Sequence, residues 1–470
     1  MSTGLIIISV VFAAFAVSYG WGVRGFVIGG EKGALLPGAL MGIAVAFFAA
    51  GEQGKELWMF FAAAGALSMF YGGTETYAQT MSYLLSRDVK GPYYNQLKKG
   101  VIGIFLKGAL WFAIPGFVIA MLPGALTGKY PVWQIILMFA LFPFVSVIGT
   151  KIFNTPYDKE KEKFPRLYFS LNRREEWGSN VMIIAVLTVF GIINKDIFAI
   201  GAGITGFVTG GTGFLLGLIF YDIERRRHGK KQRYVFGSLS EKGFIDGWKI
   251  MEHAFGAFSG GALMLYFALT SEHLTALCDK IDLSVLTLGN DKYLFAIIPF
   301  VLLLITALQY PVCAKIEKKT GKEPDINIFE IIERPLWSAV PLIFIFLGAP
   351  TAAAFGTFGT ISYALCEKCS IEWYEKSAYK KYMRTIFRVM FPVLFVWFYF
   401  NLGNISLTDT MLVYAAAYTG ACALYSFGPD RIIAYRESKN IAKAFGSGIA
   451  VTGHLIIQAA VLIVIAVIIG

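Results

Sequence analysis

The chain has 470 residues, of which 56% are hydrophobic and 16% aromatic while only 16% are charged, and its mean hydropathy is +0.61. Such a balance excludes a soluble globular protein and describes an integral membrane protein. The net charge of +11 does not point to nucleic acid, because no soluble stretch between the apolar runs is long enough to hold a basic groove; it points to cytoplasmic loops rich in Lys and Arg.

Apolar runs of about 18 residues or more cross a bilayer as helices, since irregular backbone cannot face lipid. In chain order they predict spans at about 4–23, 33–50, 57–85, 100–122, 132–152, 178–194 and 197–221. A second series follows at about 250–270, 292–314, 334–349, 350–366, 386–402, 409–426 and 447–469. The expected fold is therefore an all-α, polytopic transmembrane helix bundle of about 14 spans, within a range of 12–14, with glycine-rich broken helices. Residues 1–20 lack a basic leading region and a small-residue cleavage site, so they are expected as a retained first span rather than a signal peptide. The split at Pro350 separates two spans that could also be one kinked helix.

Loop charges alternate with this division. The loops at 86–99, 153–177, 222–243, 315–334, 366–385 and 427–446 hold 31 Lys and Arg, and the intervening set holds 5. The positive-inside rule then puts both termini outside the cytoplasm in a cytoplasmic membrane. The most charged break, at 224–233, divides the chain into a first transmembrane half at 1–221, a basic cytoplasmic linker at 222–249 and a second half at 250–470. Seven spans on each side would give the halves opposite orientations, the arrangement of a 7+7 inverted repeat. Sequence echoes are faint: Gly20 and Trp21 leading to Met41 resemble Gly247 and Trp248 leading to Met264.

Four places carry polar chemistry. At the end of the first span, Trp21, Arg24, Gly29, Gly30, Glu31 and Lys32 stand among glycines before Pro37, which is expected in the first turn of the second span. A helix broken here would offer free backbone N–H groups and a positive dipole end to an anionic group, with Arg24 as a clamp. The structural reading is a turn whose charges sit in water and whose glycines serve packing. In the third span, which also carries Tyr77, the residues Tyr71, Glu75, Gln79 and Ser82 share one helical face, so a carboxylate-bearing stripe would line a cavity or a helix seam. Alternatively the span ends early and an interfacial helix follows.

Before the eighth span, Asp246, Lys249, Glu252 and His253 read either as a solvated ion-pair array or, for Glu252 and His253, as a proton-coupling pair. Glu75 and His454, the latter in the last span, complete the coupling candidates. Lys107 in the fourth span is explained by snorkelling to the interface. In the seventh span Gly203, Gly206, Gly210, Gly213 and Gly217 recur at three- and four-residue steps, a close-packing face rather than a phosphate loop. Five cysteines are scattered, and the CxxC of Cys366 and Cys369 has no second pair and no nearby His, so an incidental pair at a helix end is expected.

The functional expectation is a multi-pass transporter or permease for a small polar or anionic solute, with proton or ion coupling. The alternative is a membrane-embedded enzyme acting on a lipid-linked or acyl substrate from a cytoplasm-facing cavity, with Glu75, Glu252 or His253 as general base. No cofactor or metal is implied. The expected partners are the lipid bilayer, a small-molecule solute and a second copy of the chain in a homo-oligomer, with no nucleic acid.

Overall fold

The computed structural model describes residues 1–23, 30–73, 77, 80–81, 96–158, 160–170, 174–229, 247–286, 311–312, 314–319, 326–354 and 356–357. They are almost wholly helical, apart from a small hairpin that pairs Asp158 with Lys163. The chain divides into two units, Met1–Ile281 and Asp282–Gly470. Helices of the first unit are α1 (Thr3–Val23), α2 (Gly30–Phe48), α3 (Gly51–Glu56), α4 (Trp58–Gly73) and α5 (Gln96–Leu126). They continue with α6 (Val132–Phe153), α7 (Trp177–Ile193), α8 (Ile197–Gly229), α9 (Gly247–Leu269) and α10 (Ser271–Cys278). In the second unit α11 (Ile326–Phe346) is followed by α12 (Pro350–Ala354).

Among the described residues four helices are long and apolar enough to cross a membrane, and a fifth is gained if α9 and α10, which meet at a bend of 70°, form one broken span. Four shorter apolar helices accompany them, at Gly33–Phe48, Trp58–Gly72, Trp177–Ile193 and Pro335–Phe346. Together they describe a membrane-embedded helical protein. A break does fall at Pro350: Gly348 adopts φ +82° after α11, the N–H of Ala349 returns to the Phe344 carbonyl, and the helix resumes at Pro350. All but the last few residues of the span expected at 292–314, and the spans expected from 386 onward, lie outside the described residues.

Six helices of the first unit close a ring in the order α1, α2, α4, α5, α8, α9 and back to α1, each packed on the next. Neighbours run antiparallel. Gly38 faces Gly65 while Gly42 faces Phe61 across α2 and α4, and Gly108 faces Gly210 while Gly116 faces Ala202 across α5 and α8. In a membrane, helices associate through such close van der Waals contact rather than through hydrophobic driving force, and small residues permit it. A Cβ on Gly210 would lie 2.2 Å from the Gly108 carbonyl oxygen, and one on Gly108 would lie 2.4 Å from that of Gly210. The five glycines of α8 that recur at three- and four-residue steps are shared between two partners, Gly203, Gly206 and Gly210 meeting α5 while Gly213 and Gly217 meet α9. The short α3 and α10 pack together at one end of the ring, and α6 and α7 form a pair beside α5 and α8.

Aromatic rings fill the middle. The indoles of Trp21 and Trp111 stack with centroids 5.0 Å apart and planes 8° from parallel, and Phe112, Phe214 and Phe255 pack around them from α5, α8 and α9. Aromatic pairs of this kind each add about 0.5–1.5 kcal/mol beyond their buried area.

Two sequence expectations are corrected. The second membrane helix starts at Gly30, so Pro37 stands two turns inside it rather than in its first turn and leaves the Gly33 carbonyl without its usual i→i−4 donor. The third span is not one helix over 57–85: α4 ends at Gly73, Tyr77 is non-helical, and a helical bond from the Met81 N–H to the Tyr77 carbonyl restarts the helix beyond it. Of the expected stripe, only Tyr71 lies among the described residues.

Replacing Gly210 with Val is expected to force α5 and α8 apart, lowering stability by about 1–3 kcal/mol or more. A fluorescence-monitored thermal melt in detergent checks this, with Gly4→Ala, where a Cβ meets nothing within 4 Å, as the neutral control.

Candidate functional site

The polar residues that matter gather where α1 ends and α9 begins. Antiparallel packing of these two helices depends on glycine: a Cβ on Gly256 would meet the Val17 carbonyl at 2.7 Å, and one on Gly22 would overlap the His253 ring. Held this close, the first turns of α9 lie against the last turn of α1. The Lys249 ammonium donates to the Gly22 carbonyl at 3.0 Å and to Glu252 Oε2 at 2.9 Å. Glu252 Oε1 accepts from the Tyr77 hydroxyl at 2.6 Å. One turn back along α1, the Ser18 hydroxyl and His253 Nδ1 are 3.0 Å apart, the donor being set by the imidazole tautomer.

Each contact has a physical cause. The last carbonyls of a helix have no intrahelical donor and carry the negative end of its dipole, so an ammonium satisfies them. The Lys249 and Glu252 side chains, three residues apart on one helical face, are 14% and 6% exposed, so the carboxylate is buried and the ammonium half-buried, whereas the sequence allows a solvated array. Tyr77 is fixed by rings on three sides: Trp111 at 5.6 Å, Phe214 at 5.2 Å and Trp248 at 5.8 Å. The central aromatic cluster and the carboxylate therefore share Tyr77 as a common wall.

The structure thus brings together Trp21, Tyr77, Glu252 and His253 of the sequence-predicted residues. Tyr71 it places elsewhere: the Tyr71 ring meets Phe142 of α6 edge-on and its carbonyl accepts from Asn180 of α7 at 3.2 Å. Tyr71 and Tyr77 do not share a face. Gly30 and Glu31 form the start of α2. Arg24, Gly29, Glu75, Gln79, Ser82 and His454 lie outside the described residues, as do Asp246 and the Cys366 and Cys369 pair. Cys278 is a buried free thiol, and no cluster of three or more metal-ligating side chains occurs among the described residues.

A second buried ion pair escaped the sequence reading. Lys107 of α5 is 3.2 Å from Glu175, and their side chains are 0% and 1% exposed. The snorkelling account of Lys107 is overturned, because its ammonium turns inward instead of reaching the interface. It also donates to Thr80 Oγ1 at 2.9 Å, and that hydroxyl donates to the Phe169 carbonyl at 2.9 Å. Glu175 accepts further from the Phe169 N–H at 2.8 Å and the Ser170 hydroxyl at 3.1 Å. Residues 168–170 of the basic loop are thereby folded into the protein. The one signal for Glu175 is the acidic pair Glu175 and Glu176 directly before Trp177, where a helix start favours carboxylates.

At the opposite end of the ring, Asp196 caps α8 by accepting from the Ala199 N–H at 3.0 Å, pairs with Lys129 at 2.9 Å and accepts from the Tyr130 hydroxyl. Burial, reinforced by the Asp196 charge, pushes the Tyr130 phenol far above its ordinary range, so it remains a donor. This network is a helix-end lock.

Lys107→Met alone leaves the buried Glu175 carboxyl without its ammonium partner, and is expected to cost about 3–5 kcal/mol, whereas Lys107→Met combined with Glu175→Leu is expected to recover most of that loss. Denaturant or thermal unfolding of the two variants in detergent reads the difference. Comparison of the chain with protein-family models, with curated proteins and with solved structures finds no match.

Proposed function

We propose that the chain is a multi-pass permease of the cytoplasmic membrane that moves a small polar or anionic solute, coupled to a proton or another small cation through Glu252 and its neighbours. The observation that carries this reading is the Tyr77–Glu252–Lys249–Gly22 network, a buried carboxylate and ammonium set against the open end of a membrane helix. Ionisable groups at such depth are costly, and they mark solute and ion routes more often than scaffolding. Discontinuous helices whose ends meet a charged site are the common construction of secondary transporters. Here α1 ends at Val23 beside the charges, and the segment after α4 is non-helical at Tyr77.

The antiparallel ring supports the orientation read from the loop charges. The connections after α1, α4, α6 and α8 leave from one end, and three of them carry the basic loops at 86–99, 153–177 and 222–243. By the positive-inside rule that end faces the cytoplasm, and the N-terminus lies on the other side. A total of about 14 spans, a C-terminus on the same side as the N-terminus and an inverted repeat complete the reading.

Reconstituted in liposomes, the protein is expected to take up at least one member of a panel of radiolabelled carboxylates, amino acids and inorganic phosphate under an imposed proton or sodium gradient. Glu252→Gln is expected to lower gradient-driven uptake about tenfold or more, the equivalent of one lost charge-assisted hydrogen bond. Unchanged uptake by a monodisperse Glu252→Gln protein removes the network from transport, and no uptake of any panel member under either gradient counts against a permease of this class.

A further inference from the structure

We infer that Glu252 and the Gly22 carbonyl form a binding site for a small, sodium-sized monovalent cation, and that the Lys249 ammonium occupies this site in the conformation seen here. The inference rests on the permease reading only for its meaning in transport; the binding itself does not require it.

Three features define a cation site rather than an incidental ion pair. Two oxygens of different origin converge on one point: a carboxylate oxygen of α9 and a main-chain carbonyl oxygen of α1 lie 2.9 and 3.0 Å from the same nitrogen. A structural i,i+3 pair needs only the first of them. The carbonyl belongs to the last turn of α1, where unpaired carbonyls and the helix dipole concentrate negative potential, as in the broken-helix ends that coordinate coupling ions in transporters. Both oxygens are fixed from behind. Glu252 is anchored through its other oxygen by Tyr77, itself wedged among Trp111, Phe214 and Trp248. Gly22 is pressed against the His253 ring with no room for a Cβ, and His253 is tied to Ser18 of the same helix.

Lys249 is the one mobile partner by chemistry. Its ammonium hangs on a four-carbon stem of rotatable bonds from the first turn of α9, and its side chain is more exposed than that of Glu252. When the stem swings outward the oxygens cannot follow, and among the described residues no other ammonium or guanidinium is paired with this buried carboxylate beside a helix-end carbonyl. A charge in that position must be neutralised. A cation of sodium size in the place of the ammonium reaches both oxygens. Tethered lysine and free cation then compete for one place, which gives the protein two neutral states of the site and a means of linking cation binding to movement of the α9 start.

The test uses the full chain in detergent, with Lys249→Met keeping the apolar stem and removing the ammonium. Its melting temperature is expected to rise by about 3 °C or more between sodium-free choline buffer and about 200 mM sodium at constant ionic strength, with saturation. The native protein, its site filled by Lys249, is expected to show no such rise, and Glu252→Gln added to Lys249→Met is expected to abolish it. Equal melting of a folded Lys249→Met protein in lithium, sodium, potassium and choline overturns the inference. Where Lys249→Met proves too unstable to purify, Lys249→Gln carries the same comparison, and equal melting of that variant in the four salts is equally fatal. Sodium-dependent stabilisation without any gradient-driven uptake in liposomes would keep the cation site and sink the permease reading, and uptake without stabilisation would do the reverse.

Discussion

The close approach of helices at glycine is the constraint on which the rest of the first unit depends. Where α5 crosses α8, each of Gly108 and Gly210 sits so near the other's carbonyl that a methyl group would overlap it, and Gly38 and Gly65 repeat the arrangement between α2 and α4. Contacts this short draw the six ring helices inward until little room remains between them for long side chains. The stacked indoles of Trp21 and Trp111, with Phe112, Phe214 and Phe255 around them, fill what is left. Dispersion contact of this density is the main source of cohesion available to helices that exchange lipid contact for one another.

The same approach decides which polar groups must be buried. Because Gly256 and Gly260 let α9 lie on Val17 of α1, Lys249 and Glu252 come down onto the end of α1 with no layer of water between. The Lys107–Glu175 and Lys249–Glu252 pairs are satisfied to different degrees. Glu175 accepts from Lys107, Ser170 and the Phe169 N–H, and two of these three donors belong to the folded-in loop itself. A carboxylate so supplied clasps the loop to α5. Glu252 takes a rigid donor, Tyr77, on one oxygen and a flexible one, Lys249, on the other. One pair is built to stay; the other has a partner that can leave.

How much of this was legible in the sequence follows from what periodicity can and cannot encode. Apolar runs place α1, α6, α7 and α9 and the start of α8 to within a few residues, because a membrane helix declares itself by length and hydropathy, whereas α8 runs on to Gly229, past the expected end at 221. The glycine steps of α8 declare a packing face, though not that two different helices would divide it. Glu252 and His253 stand out as ionisable groups at a span's start, and the structure joins them to Trp21 and Tyr77. Lys107 and Glu175 are separated by 68 positions, one in a span and the other in a loop counted for its basic residues. No local pattern links such a pair. The end of α4 is equally silent: a polar stripe from Tyr71 onward has helical spacing, and nothing in that spacing reveals that the backbone leaves the helix before Tyr77.

That departure is what makes the site's geometry work. Within five residues, Tyr77 bonds to Glu252 of α9 and Thr80 bonds to Lys107 of α5 and to the Phe169 carbonyl, so the short segment after α4 is gripped from both sides. Had the helix continued unbroken from Tyr71, residue 77 would stand about 600° around the axis at 100° per residue, on the opposite side from residues 75 and 79. The non-helical backbone at Tyr77 instead frees its ring to enter the aromatic cluster while the helix resumed at Met81 keeps Thr80 against α5. A displacement that parts Tyr77 from Glu252 must therefore either stretch the Thr80 contacts or rotate the segment about them. Since Lys107 is held by a carboxylate with three donors, rotation is the softer course, and the pair that yields first is the one at the end of α1.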